Sequence, residues 1–307
     1  MKAITVTDRA AGVAGVKLEE RPAPHAAEND VVVEVRAAGF TPGELEWPAT
    51  WTDRAGRDRA PSIPGHELAG VVTALGYGTT GLTLGQRVFG FADWARDGTL
   101  AEYVSVEARN LAPLPADIDF VTAASLPISG LTAWQGLFEH GHLQVGQTVL
   151  VNGVAGGVGT VVAQLAREAG ASVIGVGRDA HRERAFEAGA HRFVDSDGDW
   201  AELAGGVDLV FDVIGGELGD RSVAHLREGG RLVTIVAPPQ VQRSDVTAVF
   251  FVVEPDRSQL VELARRVRDG RLRTFVGDVV PLDDAAAAFG ARSGGRGKTI
   301  VRVGEES

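Results

Sequence analysis

The chain has 307 residues, of which 44% are hydrophobic and 23% charged, and its formal net charge is −11. This acidic balance argues against nucleic acid or an anionic membrane surface as a partner, since both require a basic face. The absence of cysteine excludes disulfides, thiolate nucleophiles and Cys-ligated metals. The first residues lack the apolar stretch of a signal peptide, and no apolar run is long enough to span a bilayer. We therefore expect a cytoplasmic protein of two domains.

Short strands separated by glycine-containing turns are predicted for the first 117 residues. Valines alternate over Asp30–Arg36, and further apolar runs cover Leu68–Leu75 and Gln86–Phe91. Such alternating or short apolar runs are typical of β-strands. Residues 1–117 are therefore expected to form the first part of a β-rich domain.

From residue 118 the pattern changes to alternating helices and strands. A helix is predicted over Val121–His140 and an amphipathic helix over Ser258–Asp269. The apolar runs between them are candidate strands: Thr148–Val151, Ser172–Val176, Arg192–Val194, Val207–Phe211, Arg231–Val236 and Val246–Val253. Strands alternating with helices indicate a parallel sheet. Residues 118–270 are thus predicted to be an α/β domain inserted into the β-rich domain, which resumes over 271–307 with short strands and a helix over Asp283–Phe289. A substrate would bind in the crevice between the two domains.

The turn after the first parallel strand has the pattern of a dinucleotide-binding unit. Its sequence is Val154-Ala155-Gly156-Gly157-Val158-Gly159, followed by an amphipathic helix and a second strand. In such a unit Gly156 lets the backbone approach a pyrophosphate, Gly159 lets the helix pack on the strand, and the helix N-terminus offers N–H groups to the phosphates. The surrounding strands and helix favour this interpretation over a turn without a ligand. Ala155, Gly156, Gly157 and Val158 are therefore predicted to bind a dinucleotide.

The end of the second parallel strand indicates which dinucleotide is bound. An NAD-binding unit places Asp or Glu there for the ribose 2′-OH, but this strand runs into Gly177-Arg178 without a carboxylate. The Arg178 guanidinium can pair with a 2′-phosphate, and His181 lies close by. Asp179 stands one or two positions beyond the usual acidic position. NADPH is therefore predicted in preference to NADH, with a solvated surface arginine as the alternative for Arg178.

Further cofactor contacts are expected at the carboxyl ends of the later strands, where open α/β sheets bind their ligands. The residues at these positions are Val213, Ile214, Val236, Ala237 and Phe251. The alternative is that these side chains pack in the core, and this alternative is strongest for Phe251.

A series of motifs in fixed order carries a resemblance over nearly the whole chain. They are AAGFTPGELE at 37–46, PGHELAGVV at 64–72, LGQRVFGF at 84–91, LAEYVSV at 100–106, AASLPISGLTAWQGL at 123–137, VNGVAGGVG at 151–159, GGRLVTI at 229–235 and GKTIVRV at 297–303. Together they resemble the medium-chain dehydrogenase/reductase superfamily, and within it the zinc-free quinone oxidoreductase (zeta-crystallin-like) branch.

The resemblance implies a fold, a cofactor and a reaction. The fold is a Rossmann-type doubly wound parallel sheet inserted into a GroES-like β-barrel domain. The implied activity is NADPH-dependent reduction of quinones or α,β-unsaturated carbonyls, which are small-molecule substrates. The resemblance also implies a homodimer that pairs Val246–Val253 across a twofold axis, and it places Thr132 near the nicotinamide. Thr41 is also predicted to bind the cofactor. A helix threonine bonded to its own backbone is the alternative for Thr132.

Departures from the superfamily pattern bear on metal and proton chemistry. Zinc-dependent relatives use a Cys in the segment at 37–46 and the His of Gly-His-Glu, whereas this chain has Thr41 and an intact Gly65-His66-Glu67. Neighbouring residues on a strand point to opposite faces, so joint zinc binding by His66 and Glu67 is disfavoured. The quinone reductases often have Asn-Pro at the place of Thr41-Pro42 and a tyrosine shortly after, but here Glu46-Trp47 follows.

The residues therefore leave the proton donor open among Thr41, Glu46, His66, Asp93 and water. Three tryptophans, Trp47, Trp51 and Trp94, form either an apolar wall for a flat acceptor or buried anchors of their loops. An alcohol dehydrogenase-like enzyme and a non-catalytic NADPH-binding protein stay open as alternative functions.

Overall fold

The computed structural model describes residues 1–41, 43–200, 203, 206–241, 243–290 and 297–304, so Pro42 lies outside the described residues. The chain divides into two compact units. The first unit contains Met1–Ile128, Pro255–Arg268 and the C-terminal segment from Phe275, and the second contains Ser129–Glu254 and Asp269–Thr274.

The first unit is built mainly from antiparallel strands, as its alternating sequence predicts. Its strands are β1 (Lys2–Val6), β2 (Val16–Glu20), β3 (Asp30–Gly39), β4 (Glu67–Leu75), β5 (Arg87–Phe91), β6 (Tyr103–Glu107) and β7 (Leu111–Pro113), joined late in the chain by β14 (Val276–Pro281) and β15 (Lys298–Arg302). A sheet of order β14-β15-β3-β4-β5-β7 holds most of them, with β6 also paired to β3 and a separate β1-β2 hairpin. Its helices are α1 (Pro48–Trp51), α2 (Phe120–Ala124), α7 (Arg257–Arg268) and α8 (Ala285–Gly290).

The helix α7 belongs to the first unit, although the sequence analysis assigned this segment to the nucleotide-binding domain. The reason is a side chain at its start: the Arg257 guanidinium donates hydrogen bonds to the carbonyls of Leu111, at 2.7 Å, and Ala108. An arginine that bonds main-chain carbonyls far away in sequence leaves no trace in the helix pattern itself.

The second unit is a doubly wound parallel sheet. Its strands are β8 (Thr148–Asn152), β9 (Ser172–Gly177), β10 (Arg192–Asp195), β11 (Val207–Asp212), β12 (Leu226–Thr234) and β13 (Thr247–Phe250), and its helices include α4 (Gly157–Glu168), α5 (Arg182–Glu187) and α6 (Gly216–Val223). The strands are parallel and ordered β10-β9-β8-β11-β12-β13. This is the 3-2-1-4-5-6 order of a Rossmann sheet. The predicted fold of this part is confirmed.

Two predicted elements differ in their bounds. The helix expected over Val121–His140 consists of α2, α3 (Pro127–Trp134) and a π-helical segment, Gln135–His140. Proline disfavours helical geometry in the residue before it but suits the first position of a helix, so a break falls before Pro127. The strand expected over Arg231–Val236 runs over Leu226–Thr234, because Thr234 bonds across to β11 and the chain then turns away. Among the described residues, no helix has the length and apolar character required to cross a membrane.

Candidate functional site

The glycine turn of the second unit has the close packing that the sequence predicts for Gly159. A Cβ atom on Gly159 would lie 2.2 Å from the carbonyl oxygen of Gly153, so only glycine allows α4 to approach the end of β8 this closely. Gly156 is different, because a Cβ added there would lie 3.3 Å from its nearest neighbour, the Gly153 oxygen. The space outside Gly156 is therefore open to a ligand.

The start of α4 presents unpaired N–H groups beside this space. The cap residue Gly156 has no side chain to satisfy them, and the first N–H of the helix to be bonded is that of Thr160, to the Gly156 carbonyl at 3.0 Å. The N–H groups of Gly157, Val158 and Gly159 precede the first intrahelical bond and have no other partner in the described part of the chain. Free N–H groups and the positive end of the helix dipole suit a pyrophosphate.

Three polar side chains at the ends of neighbouring strands form a buried cluster, which we call the strand-end clasp. Asn152, Asp212 and Thr234 are the last residues of β8, β11 and β12, and each is at most 3% exposed. The Asp212 carboxylate accepts hydrogen bonds from the Asn152 amide at 3.1 Å and from the Thr234 hydroxyl at 3.2 Å. The sequence analysis missed this clasp, although a polar residue ending each of three apolar runs is a visible signal.

The clasp also fixes the turns that follow the strands. Asp212 accepts hydrogen bonds from the main-chain N–H groups of Ile214, at 3.2 Å, and Gly215, at 3.1 Å. The Thr234 hydroxyl accepts from the N–H of Val236 at 3.3 Å. A Cβ on Gly153 would lie 2.7 Å from a Val213 methyl, and a Cβ on Gly215 would lie 2.8 Å from a Val236 methyl. The three turns therefore contact one another in a row along the carboxyl edge of the sheet.

The residues predicted for this edge separate into two groups. Ile214 and Val236 are 53% and 48% exposed, Ala237 is exposed and Val213 is half-buried. Large apolar side chains held open on fixed turns suit a ligand edge. Phe251, by contrast, is buried and its ring packs 4.5 Å from that of His140, as the core-packing alternative predicts.

The tip of β9 carries the charged residues predicted to choose the nucleotide. Arg178 is exposed, and no ion pair joins it to any residue that the structure describes. Asp179 lies 2.7 Å from Arg182 in an ion pair, so Arg182 balances its negative charge. Gly177 and His181 are half-buried beside them.

In the first unit a buried acid organises the region around Thr41. Glu44 is 1% exposed, and its carboxylate accepts hydrogen bonds from the N–H groups of Thr41, at 3.2 Å, and Gly65, at 2.6 Å. Its Oε1 atom also lies 2.8 Å from Nδ1 of His66, but the angle does not suit a hydrogen bond. Neither ring nitrogen of His66 has a hydrogen-bond partner among the described residues. The sequence analysis named Thr41 and His66 but missed Glu44, which links them.

Glu67 faces a different set of partners from its neighbour His66. It is fully buried, forms an ion pair with Lys298 and accepts a hydrogen bond from the N–H of Ile128 at 2.8 Å. Burial raises the pKa of Glu67 above its ordinary value, and the Lys298 charge opposes that rise. Within the described residues no three His, Cys, Asp or Glu side chains are grouped so as to hold a metal ion.

The three tryptophans do not form a single surface. Trp47 and Trp94 are half-buried and pack edge to face with their rings 5.3 Å apart, and Trp94 also lies 4.8 Å from the His66 ring. Trp51 is a core residue, 7% exposed, and its indole N–H donates to the Leu45 carbonyl at 2.7 Å. Trp51 is therefore a buried anchor, and Trp47 with Trp94 remains the candidate aromatic surface.

The other candidate residues lie in varied surroundings. Asp93 forms an ion pair with Arg54, and Glu46 is exposed, so neither has the sheltered position of His66. Thr41 is half-buried in the first unit, and Thr132 is 2% exposed on α3 in the second. Their placement at the cofactor stays a prediction.

Comparison with known proteins links both parts of the chain to oxidoreductases. Residues 27–116 match the family described as alcohol dehydrogenase GroES-like domain, which confirms the predicted GroES-like part, and residues 188–301 match that described as zinc-binding dehydrogenase. The sequence is 31% identical to 2-methylene-furan-3-one reductase of Solanum lycopersicum, over 98% of this chain and 79% of the relative. It is 32% identical to NADPH-dependent alkenal/one oxidoreductase, chloroplastic, of Arabidopsis thaliana, over 90% of this chain and 72% of the relative. The solved quinone oxidoreductase of Coxiella burnetii superposes with a TM-score of 0.88 at 26% identity, covering 99% of each chain.

Proposed function

The protein belongs to the medium-chain dehydrogenase/reductase superfamily, and we propose that it is an NADPH-dependent and zinc-independent reductase of quinones or α,β-unsaturated ketones. It is similar to the quinone and alkenal/one oxidoreductases of that superfamily. The observation that most supports cofactor binding is the uncapped start of α4, with three free N–H groups next to the open space at Gly156. The residues fit a dinucleotide: the turn after β8 suits the pyrophosphate, and the exposed Arg178 suits a 2′-phosphate.

The proposed acceptors follow from chemistry that needs no metal. The nicotinamide supplies the hydride when it is bound. A quinone takes hydride into an aromatic product, and an enone has an electrophilic β-carbon whose enolate needs only hydrogen-bond stabilisation. Oxidation of a simple alcohol is different, since in zinc-dependent relatives a Lewis acid lowers the pKa of the hydroxyl. Cysteine, a zinc ligand in many relatives, does not occur in this chain.

The direct test is NADPH oxidation with a quinone, an enone and, in reverse, a simple alcohol with NADP⁺. We expect turnover with the first two and little with the alcohol. Tight NADPH binding without turnover of any carbonyl acceptor would favour a non-catalytic NADPH-binding protein. Efficient alcohol oxidation would favour the alcohol dehydrogenase alternative.

Arg178 gives a prediction about cofactor choice. Arg178→Ala should weaken NADPH binding by about ten- to a hundredfold, because one charge-assisted contact with the 2′-phosphate is lost, and should leave NADH binding nearly unchanged. Isothermal titration with both cofactors measures the effect. Arg192→Ala, which removes a charge from the amino end of β10, is the matched control. An equal loss for both cofactors would contradict the assignment of Arg178.

Metal content gives a second prediction. The purified protein should hold no stoichiometric zinc, and a chelator should change neither quinone reduction nor the melting temperature, because His66 and Glu67 face separate partners. Elemental analysis and thermal unfolding measure this. One zinc per chain with chelator-sensitive activity would refute the zinc-independent reading.

The aromatic surface gives a third prediction. Trp47→Ala should raise KM for a bulky aromatic quinone by about two- to tenfold and hardly change KM for a small enone, since ring stacking contributes roughly 0.5–1.5 kcal/mol beyond area burial. Trp51→Ala serves as the contrast: it should lower the melting temperature, because the side chain it removes is a buried anchor. Equal changes in KM for both acceptors in Trp47→Ala would remove Trp47 from the acceptor surface.

We propose further that the protein forms a homodimer. Its support is the position of β13 at the edge of the parallel sheet, where main-chain groups on one side are unpaired within the described residues. Sedimentation of the intact protein tests this, with an Ala248→Pro variant that removes an N–H from the unpaired side of β13.

A further inference from the structure

The Asp212 carboxyl group of the strand-end clasp is buried, and no positively charged side chain that the structure describes pairs with it. It is 2% exposed, and among the described residues all its hydrogen-bond partners are neutral: the Asn152 amide, the Thr234 hydroxyl and the N–H groups of Ile214 and Gly215. Buried carboxylates are normally paired with a positive side chain because an uncompensated charge is costly in a protein interior. The hydrogen bonds that fix the turn after β11 explain the place of Asp212 in the fold, but they bring no positive charge to it.

Each hydrogen bond of the Asp212 side chain is donated by a neighbour to its carboxylate oxygens. The Thr234 oxygen already accepts from the N–H of Val236, so its hydrogen is free to point to the carboxylate. The two turn amides and the Asn152 amide can only donate to Asp212. A carboxyl surrounded by donors on both oxygens matches the acceptor-only, charged form.

Strand order sets Asp212 and Arg178 on opposite sides of the glycine turn. The order reverses between β8 and β11, and in such sheets the pyrophosphate lies at the turn after the first strand with the adenosine ribose at the tip of the second. Here those positions are the turn at Gly156 and Arg178 on the β9 side. The other half of the dinucleotide then extends over the tips of β11 and β12, where Asp212 and Thr234 are the terminal residues.

We propose that Asp212 stabilises the positive charge of the oxidised nicotinamide and so favours hydride release from the reduced cofactor. This inference rests on the proposed function. A fixed charge in a water-poor site stabilises charge that develops nearby without any reorganisation. The reduced ring is neutral and gains nothing from it, so the effect is a difference between two oxidation states of one ligand. Asp212 would thus be a positioning residue that acts electrostatically on the nicotinamide half of the cofactor.

The test is the ratio of the dissociation constants of NADP⁺ and NADPH in Asp212→Asn. We expect the ratio to rise about tenfold, the order of magnitude of one unit-charge interaction at an effective dielectric constant of about 20. The matched control is Asp208→Asn, which removes a charge from the opposite end of β11, where Asp208 pairs with Arg227 at 2.7 Å. Asp208→Asn should leave the ratio unchanged.

Both arms measure binding and are independent of turnover. If Asp212→Asn does not fold, Asp212→Ser is the second neutral variant, since its hydroxyl can still accept from one turn amide, and the same rise is expected. Equal weakening of NADP⁺ and NADPH, or a ratio that also rises in Asp208→Asn, overturns the inference and leaves the clasp a purely mechanical support. Failure of the wild-type protein to bind either cofactor would instead overturn the proposed function.

Discussion

Replacing Gly159 by alanine is expected to lower the stability of the protein by about 3 kcal/mol and to abolish cofactor binding, because the new methyl group would overlap main-chain atoms. It would lie 2.2 Å from the Gly153 oxygen and 2.8 Å from the Val154 Cα. Main-chain atoms cannot rotate away as a flexible side chain can, so α4 must move off β8. The measurement is denaturant unfolding together with titration of NADPH.

Gly156→Ala is the contrasting variant in the same turn. Gly156 has φ −79° and ψ 173°, an extended conformation that alanine adopts freely, and its closest neighbour is at 3.3 Å. We expect stability to change by less than about 1 kcal/mol, while the methyl group blocks the approach of the pyrophosphate and weakens NADPH binding by about tenfold or more. If Gly156→Ala destabilised the protein as strongly as Gly159→Ala, the division of roles between the two glycines would be wrong.

This division was predictable from the sequence because it depends on local order. A strand, a glycine turn and a helix follow one another over Thr148–Glu168, and each glycine's contact lies within a few residues. The central parallel strands were predictable for a similar reason: β8, β9 and β11 are short apolar runs that the sheet buries on both faces. The ends of the strands were harder to predict, because β12 stops at Thr234, whose hydroxyl donates a hydrogen bond to Asp212 on another strand.

The polar interior was not predictable, because its partners are distant in sequence. Glu44 is an ordinary acidic residue in the sequence, yet the fold buries it and joins it to Gly65 and His66. Asp212 and Asn152 meet only once β8 and β11 are neighbours. The same limit applies to the tryptophans: Trp47 and Trp51 are four residues apart, but a single turn of helix between them places one on a half-exposed surface and the other in the core.

The ion pair of Glu67 and Lys298 should produce the second large effect. Lys298→Met removes the charged partner of a carboxylate that is fully buried, and we expect a loss of about 3–5 kcal/mol near neutral pH, the usual cost of leaving a buried charge unpaired. Chemical unfolding measures the loss. Lys2→Met, whose partner Asp283 is largely exposed, is the matched control and should cost less than about 1 kcal/mol.

The pH dependence of that loss identifies its cause. Burial raises the pKa of Glu67 in the folded protein, and Lys298 opposes the rise, so Lys298→Met should raise this pKa further. A carboxyl whose folded pKa exceeds its unfolded value binds more protons in the folded state between the two values, and stability falls as the pH rises through that window. The deficit of Lys298→Met should therefore be greater at the higher of two pH values and shrink at the lower one, because Glu67 takes up a proton as the pH falls. In the double variant Glu67→Gln/Lys298→Met the pH dependence should disappear and most of the stability should return, since no buried charge is left unpaired. A deficit that is the same at both pH values would mean that the lost packing of the lysine side chain, and not the charge of Glu67, causes it.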